Sequence, residues 1–272
     1  MPELPEVETI RRHLSPLLEG RTVRSLEVRH PRMLRYQPEG RLPTVPGRRV
    51  LEVGRRGKYL LITLDGGLTW VTHLGMSGRV RLTNPEEPFA AHTHVVASFD
   101  GGIQLRVIDP RTFGFVQFLD EDQMAKSSVG RLGPDALEDG AASIGPRLEG
   151  RRAAIKSLLL DQRFIAGIGN IYADEILYRA RIRPKRPGGS LSAADAKRLQ
   201  SSVRPVLRDG LRWGGTSLDD LAYRLPDGSA GDFLQKLRVY GRESEPCRRC
   251  QTPIRRTVIS ARSSFWCPTC QK

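Results

Sequence analysis

Two groups of residues, one at each end of the chain, have types and spacing suited to chemistry. The chain opens Met1-Pro2-Glu3-Leu4-Pro5-Glu6. Removal of the initiator methionine would leave Pro2 as a free secondary amine, able to attack an electrophilic sugar carbon and form an iminium ion with loss of water. An α-amino group titrates at about 8, so a useful fraction is unprotonated at neutral pH, unlike an ordinary lysine. The competing reading is that Pro2 and Pro5 only start a helix, because proline suits first-turn positions. At the other end, Cys247-x2-Cys250 and Cys267-x2-Cys270 are separated by sixteen residues. That is the spacing of a four-cysteine zinc ribbon, in which each knuckle offers two thiolates to one tetrahedral ion. Four thiolates leave no position for water, so one structural zinc is expected. A disulfide pair or redox motif is the alternative, and a reducing compartment disfavours it.

Composition narrows the partner. The 272 residues are comfortable for two domains, and 39% hydrophobic content can build real cores. A formal net charge of +14 favours a polyanion, nucleic acid first, through long-range attraction and counterion release. Only seven of the 44 basic residues are lysine, and arginine's planar fork suits phosphates and base edges. No apolar run approaches membrane-spanning length, and the start lacks the basic-then-apolar layout of a signal peptide, so a cytoplasmic protein without a membrane partner is expected.

The elements that must position these residues follow from periodicity. Val7, Ile10, Leu14, Leu17 and Leu18 recur at helical spacing and Gly20 stops them. Short β-branched runs follow at residues 23–28, 50–53, 59–64, 68–72, 94–99, 103–108 and 115–119. Asp65-Gly66-Gly67 and Asp100-Gly101-Gly102 separate neighbouring runs as hairpin turns should. This predicts an antiparallel sandwich or barrel over residues 1–132. Residues 133–150 read as a linker. Helices are expected at 151–160, 171–182 and 193–211, with a kink or break at Pro205 and with Asn170 as an N-cap. The segment 214–231, rich in glycine and acidic residues, reads as a mobile loop. A helical domain at 151–240 and a zinc-finger hairpin at 241–272 complete an α+β, two-domain chain. In the hairpin, residues 254–259 and 265–266 pair around a turn that includes Arg262.

The chain resembles the formamidopyrimidine-DNA glycosylases (Fpg/MutM), bifunctional enzymes that remove oxidised purines from DNA. The resemblance is distributed from end to end. It rests on Pro2-Glu3-Leu4-Pro5-Glu6-Val7-Glu8, Arg56-Gly57-Lys58-Tyr59, His73-Leu74-Gly75-Met76-Ser77-Gly78, Asp109-Pro110-Arg111-Thr112-Phe113-Gly114, Gly167-Ile168-Gly169-Asn170-Ile171-Tyr172 and the cysteine ribbon. It implies an N-terminal β-sandwich carrying an N-terminal helix, then a helix-two-turn-helix domain with a zinc-ribbon hairpin. It also implies that Pro2 attacks C1′ of the damaged nucleotide and displaces the base, giving a Schiff base that permits β- and δ-elimination, with Glu3 moving the protons. Lys58 and Arg262 would grip phosphates near the lesion. Met76, Arg111 and Phe113 would fill the gap left when the target nucleotide is flipped out. His92, Lys156, Asn170, Tyr240 and Arg242 complete the DNA-binding set, and Glu175 matches a nearby family position. Glu6 assists catalysis or only opposes the helix dipole. An exposed helix lysine and a structural carboxylate are the alternatives for Lys156 and Glu175.

The partner implied is duplex DNA containing oxidised bases or abasic sites, bound by a monomer. Two departures stand out: Thr112 replaces a basic residue common among relatives, and Ala261 replaces a glycine before the ribbon arginine. The rival functions are an endonuclease VIII-like glycosylase for oxidised pyrimidines and a noncatalytic damaged-DNA-binding protein.

Overall fold

The structure, a computed structural model, describes residues 2–39, 42–138, 141, 144–217 and 223–272. Met1, on whose removal the free Pro2 amine depends, lies outside the described residues, as do parts of the 133–150 linker and of the 214–231 segment. The chain divides into two compact units, Met1–Arg131 with Trp213–Leu234, and Leu132–Arg212 with Gln235–Lys272.

The first unit begins with helix α1 (Leu4–Leu18), whose buried stripe of Leu4, Val7, Ile10, Leu14 and Leu18 has the expected period. Eight strands follow: β1 (Val23–Val28), β2 (Val50–Arg56), β3 (Tyr59–Leu64), β4 (Leu68–His73), β5 (Arg79–Thr83), β6 (Thr93–Phe99), β7 (Ile103–Ile108) and β8 (Phe115–Leu119). They form two antiparallel sheets, β1-β6-β7-β5 and β2-β3-β4-β8. Both contribute to one core, with Val23, Val95, Ala97, Leu105 and Val107 from the first meeting Leu60, Ile62, Trp70, Val116 and Phe118 from the second. This is a sandwich, and strand alternation explains it: every second residue points inward.

Both Asp-Gly-Gly turns close hairpins as expected, pairing Leu64 with Leu68 and Phe99 with Ile103. All four glycines have positive φ, which a side chain would resist. Strand β5 escapes the sequence reading because Val80 is its one fully buried side chain, flanked by Arg79 and Arg81. A short helix, α2 (Glu121–Lys126), also escapes it, since it buries none of its residues and is defined by its Asp120 cap.

Residues 213–217 and 223–234 group with the first unit, whereas the sequence reading assigns them to the helical domain. Tyr223 and Leu225 enter the sandwich core, the Tyr223 hydroxyl donates to the Gly214 carbonyl at 3.0 Å, and the Leu82 amide donates to the Pro226 carbonyl at 3.1 Å.

The second unit holds α3 (Ile155–Leu160), α4 (Asn170–Ala180), α5 (Ala193–Arg212) and a hairpin of β9 (Arg255–Ile259) and β10 (Arg262–Trp266). Helix α3 starts later than predicted because Ala154 is extended and bridges Pro187, with the Ile155 amide donating to the Arg186 carbonyl and the Gly188 amide to the Ala153 carbonyl. The break expected at Pro205 is absent: α5 is one helix through it. Its buried stripe of Leu199, Val203, Val206 and Leu207 supports both sides of the proline, and Gly210 lies so close to α4 that a Cβ there would sit 2.5 Å from the Tyr172 hydroxyl.

Helix α1 is clamped to the sheet by Glu8, which pairs with Arg11, Arg12 and Arg55 at 2.9, 2.8 and 3.2 Å. Burial alone would raise its carboxyl, but hydrogen bonds from Arg11 and Arg12 and the nearby guanidinium charges bring it down to about 2. The Glu8 contribution to stability is therefore complete above the ordinary value of 4.5 and is lost as pH falls towards 2. Glu8→Gln is expected to destabilise the protein by about 1–3 kcal/mol at pH 7, and the gap should close on acidification, as read by denaturant titrations at pH 7, 4 and 2.5.

Candidate DNA-repair site

In the first unit, α1 carries the candidate nucleophile. Pro2 is buried and Glu3 is 2% exposed, at the N-cap of the helix. Glu6 decides the local geometry. One of its carboxylate oxygens accepts the Glu3 amide at 2.8 Å and the other accepts the Thr216 amide at 2.7 Å. Glu6 thus fixes the backbone that follows Pro2 and ties it to the 213–217 turn. Gly215 is required there, since a Cβ would lie 2.9 Å from the Glu6 side chain. Lys58, 7% exposed, sits in the Gly57-Lys58 turn between β2 and β3. Arg55, held by Glu8, braces that turn by donating to the Gly57 carbonyl at 2.9 Å.

The candidate gap-filling residues stand on two loops fused through glycine. Met76 is 41% and Phe113 45% exposed, and the Arg111 guanidinium lies 5.5 Å from the Phe113 ring centroid. A Cβ on Gly75 would fall 2.4 Å from the Phe113 carbonyl carbon, so only glycine lets the loops meet. Asp109, fully buried, organises both: it accepts the Ser77 hydroxyl at 2.5 Å, the Gly114 amide at 2.7 Å and the Arg111 amide at 3.3 Å. Thr112, the departure from the family pattern, adopts a left-handed φ of 51°.

Two further residues went unnoticed in the sequence. Arg35 donates to the carbonyls of Thr112, Phe113 and Gly114 at 3.1, 2.7 and 2.8 Å, so it holds the Phe113 loop from the outside. Nothing local announces it, because its partners lie 77–79 positions away. His73 lies inside a quoted motif yet was given no role. Burial, then the Lys58 and Arg35 charges, lower its pKa to about 4, so the ring is neutral at pH 7. His92 is exposed at a left-handed φ of 64°, and its carbonyl accepts the Asp109 amide at 3.0 Å.

In the second unit, a different set converges on β10. Lys156 is fully buried, which corrects its placement on a DNA-facing surface. Its ammonium pairs with Asp174 at 2.7 Å and donates to the Ser263 carbonyl at 3.0 Å. Asn170 donates to the same carbonyl at 3.0 Å, and Asp174 accepts the Phe265 amide at 2.9 Å. Burial raises the Asp174 carboxyl against the pull of Lys156. Asn170 is not the N-cap; Gly169 is, and the Asn170 side chain serves β10 instead.

Arg262 opens β10 and is exposed, following a Ser260-Ala261 turn with φ of 50° and 57°. Ala261, with its left-handed φ of 57°, bears a cost of about 1–2 kcal/mol. Glu175 accepts the amides of Arg238, Val239 and Tyr240 at 2.9–3.0 Å, and the Tyr240 ring packs edge-on against Phe265 at 5.3 Å. The Arg242 guanidinium is bonded to Glu245 and to the carbonyls of Arg238 and Pro246, so it braces its own loop.

The sulfurs of Cys247, Cys250, Cys267 and Cys270 lie within 4.8 Å of one another. A tetrahedral zinc with bonds of about 2.3 Å needs sulfurs about 3.8 Å apart, and this quartet suits it. The Arg249 amide donates to the Cys247 sulfur and the Cys270 amide to the Cys267 sulfur, each at 3.4 Å, as thiolate ligands require. Bound there, zinc supplies a structural cross-link and no catalytic position.

An antiparallel sandwich headed by a helix, a helical unit and a four-cysteine cluster define a two-unit zinc-finger protein. Family models match at residues 1–116 (formamidopyrimidine-DNA glycosylase N-terminal domain), 132–221 (its H2TH domain) and 244–272 (zinc finger found in FPG and IleRS). A formamidopyrimidine-DNA glycosylase of Heliobacterium modesticaldum is 46% identical over 280 residues, covering 100% of both chains. The crystal structure of MutM (Fpg) from Thermus thermophilus superposes with a TM-score of 0.88 at 43% identity, over 99% of this chain and 98% of that one. A complex of Lactococcus lactis Fpg with abasic-site DNA gives 0.87 at 31%, over 99% of each. The chain belongs to the formamidopyrimidine-DNA glycosylase family.

Two outcomes are expected from this geometry. Lys156→Met should destabilise the protein by about 3–5 kcal/mol by stranding the Asp174 charge, and adding Asp174→Leu should recover most of the loss in the same denaturant titration. Removing zinc with a chelator should abolish protection of the β9 and β10 amides from hydrogen exchange and leave that of the sandwich unchanged.

Proposed function

We propose that this chain excises oxidised purines, 8-oxoguanine and formamidopyrimidines, from duplex DNA and then cleaves the strand, acting as a monomer in base excision repair. The observation that carries the reading is the Pro2-Glu3 pair at the head of a rigid helix, in a chain that matches the family from end to end. Once Met1 is removed, the Pro2 nitrogen bonds to C1′ of the flipped nucleotide as the C1′–base bond breaks. Glu3 passes a proton to the ring oxygen, the sugar opens and the C1′–nitrogen bond becomes an iminium. Loss of the C2′ proton then expels the 3′ phosphate, and a second elimination expels the 5′ phosphate.

Lys58 and Arg262 serve as phosphate contacts, with His92, Asn170 and Tyr240 on the DNA-facing surfaces. Met76 and Phe113 wedge into the vacated stack. Arg111 presents donors that suit the O2 and N3 acceptors of an orphaned cytosine, whereas adenine offers an amino donor on its pairing edge. Lactococcus lactis relatives solved with Fapy-dG DNA and with oxidised-pyrimidine DNA support purine substrates and favour, as a second reading, some activity on oxidised pyrimidines.

Borohydride treatment during turnover of an 8-oxoguanine:cytosine duplex should trap a covalent adduct that peptide mapping places on Pro2. An adduct on Lys58, or none, would overturn the assignment. Arg111→Ala should erode the preference for cytosine over adenine opposite the lesion by about 1–3 kcal/mol, read from single-turnover rates on the two duplexes. Equal rates in the unmodified enzyme would remove Arg111 from this role.

A further inference from the structure

Strand β5 lies at the edge of its sheet, and within the first unit a turn is laid along it. The Leu82 amide donates to the Pro226 carbonyl at 3.1 Å, and the Gly228 amide closes the turn on the Leu225 carbonyl at 2.9 Å. Alternation then sorts the side chains. Arg79 and Arg81 flank the buried Val80, and Arg224 stands between the buried Tyr223 and Leu225, so all three arginines take the side away from the core. They line a cleft of about 430 Å³ with Val80, Leu225 and Gly228, and all three are half-buried. Arg81 pairs with Glu87 at 2.6 Å, and Arg224 donates to the Gly228 carbonyl at 2.9 Å. The Arg79 guanidinium has no ion pair or hydrogen bond among the described residues, and its nitrogens are open to solvent. No Asp or Glu lines the cleft, and Asp227, on the same turn, is engaged by the Ser229 amide and hydroxyl at 2.9 and 2.7 Å. Burial, and then the Arg224 and Arg81 charges, pull the Arg79 pKa down. Three like charges are thus held together where water screens them incompletely, and one carboxylate pairs with one of them.

We propose that Arg79, Arg224 and Arg81 form a phosphate-binding site that clamps the 224–228 turn to β5. Guanidinium forks suit carboxylates and phosphates alike. A carboxylate has only two oxygens, enough for one fork, whereas a phosphate can meet a fork from the strand and another from the turn together. The phosphate comes from a DNA backbone or from a free phosphate ion, which present the same oxygens. Occupied, the cleft joins β5 to the segment that reaches the head of α1. The Tyr223 hydroxyl donates to the Gly214 carbonyl, and the Thr216 amide donates to Glu6, which also holds the Glu3 amide. A phosphate on Arg79 and Arg224 therefore firms the backbone beside Glu3. None of the three arginines belongs to the set assigned above to DNA contact or catalysis, and the site is independent of the Pro2 chemistry.

The test is titration of the full zinc-loaded chain with inorganic phosphate, followed through the arginine Nε–H resonances, with succinate as the carboxylate control. Phosphate should shift Arg79 and Arg224 with Kd of about 10 mM or tighter, and slow hydrogen exchange at the Leu82 and Leu225 amides. The double variant Arg79→Gln/Arg224→Gln should weaken phosphate about tenfold or more, and Arg24→Gln, an exposed arginine on β1, should not. Binding to an undamaged duplex separates the two sources. A backbone phosphate in the cleft lowers the log–log salt slope of the double variant by about two units, and a free phosphate leaves it unchanged. The resonances are read on the unmodified chain, so the test stands if the double variant fails to fold, and no readout uses excision. Unmoved Arg79 and Arg224 resonances, succinate bound as tightly as phosphate, or phosphate affinity unchanged in the double variant would each overturn the proposal.

Discussion

The buried pair of Lys156 and Asp174 fixes the free edge of β10, and with it the presentation of Arg262. A strand edge offers amides and carbonyls that need partners. Here the Ser263 carbonyl receives Lys156 and Asn170, and the Phe265 amide reaches Asp174, so α3 and α4 take the place of a third strand. Desolvating two charges is expensive, and the pair is held by the hydrogen bonds that use its remaining valences. The result is specificity of placement: a five-residue strand acquires one position against the helices.

The same device recurs in both units. Glu6 collects the amides of Glu3 and Thr216, Asp109 those of Arg111 and Gly114, and Glu175 those of residues 238–240. Each carboxylate gathers loop backbone that no regular element would satisfy. Charge-assisted bonds of this kind are about twice as strong as neutral ones and keep their geometry when buried. A DNA glycosylase needs irregular loops that are nonetheless rigid, because a wedge that bends cannot hold a nucleotide out of its stack. Glycines at 75 and 114 let the loops meet, and buried carboxylates hold them there.

Electrostatics are divided accordingly. The candidate DNA-facing residues Arg111 and Arg262 are exposed, while Lys156 and Arg55 are buried and paired. Net charge of +14 does not distinguish these roles. Counting basic residues gives the sign of the partner, and pairing with a buried carboxylate takes Lys156 and Arg55 out of the set that can meet it.

Much was legible in the chain itself. The cysteine spacing defines a zinc ribbon because a tetrahedral site needs two short knuckles, and alternation with Asp-Gly-Gly turns defines most of the sandwich because strand periodicity is local. The role proposed for Pro2 rests on the motifs spread along the whole chain, because the opening residues alone read equally as the start of a helix. What tertiary structure alone decided is non-local. Strand β5 exists because one valine completes a sheet, α5 survives Pro205 because α4 supports it, and Thr216, Tyr223 and Leu225 return to the first unit because Glu6 and the sandwich core receive them. Lys156 becomes a buried brace and Arg35 a loop anchor only through partners 18 to 107 positions away. Composition and periodicity report which residues can be buried or charged; which atom meets which is set when distant segments close on one another.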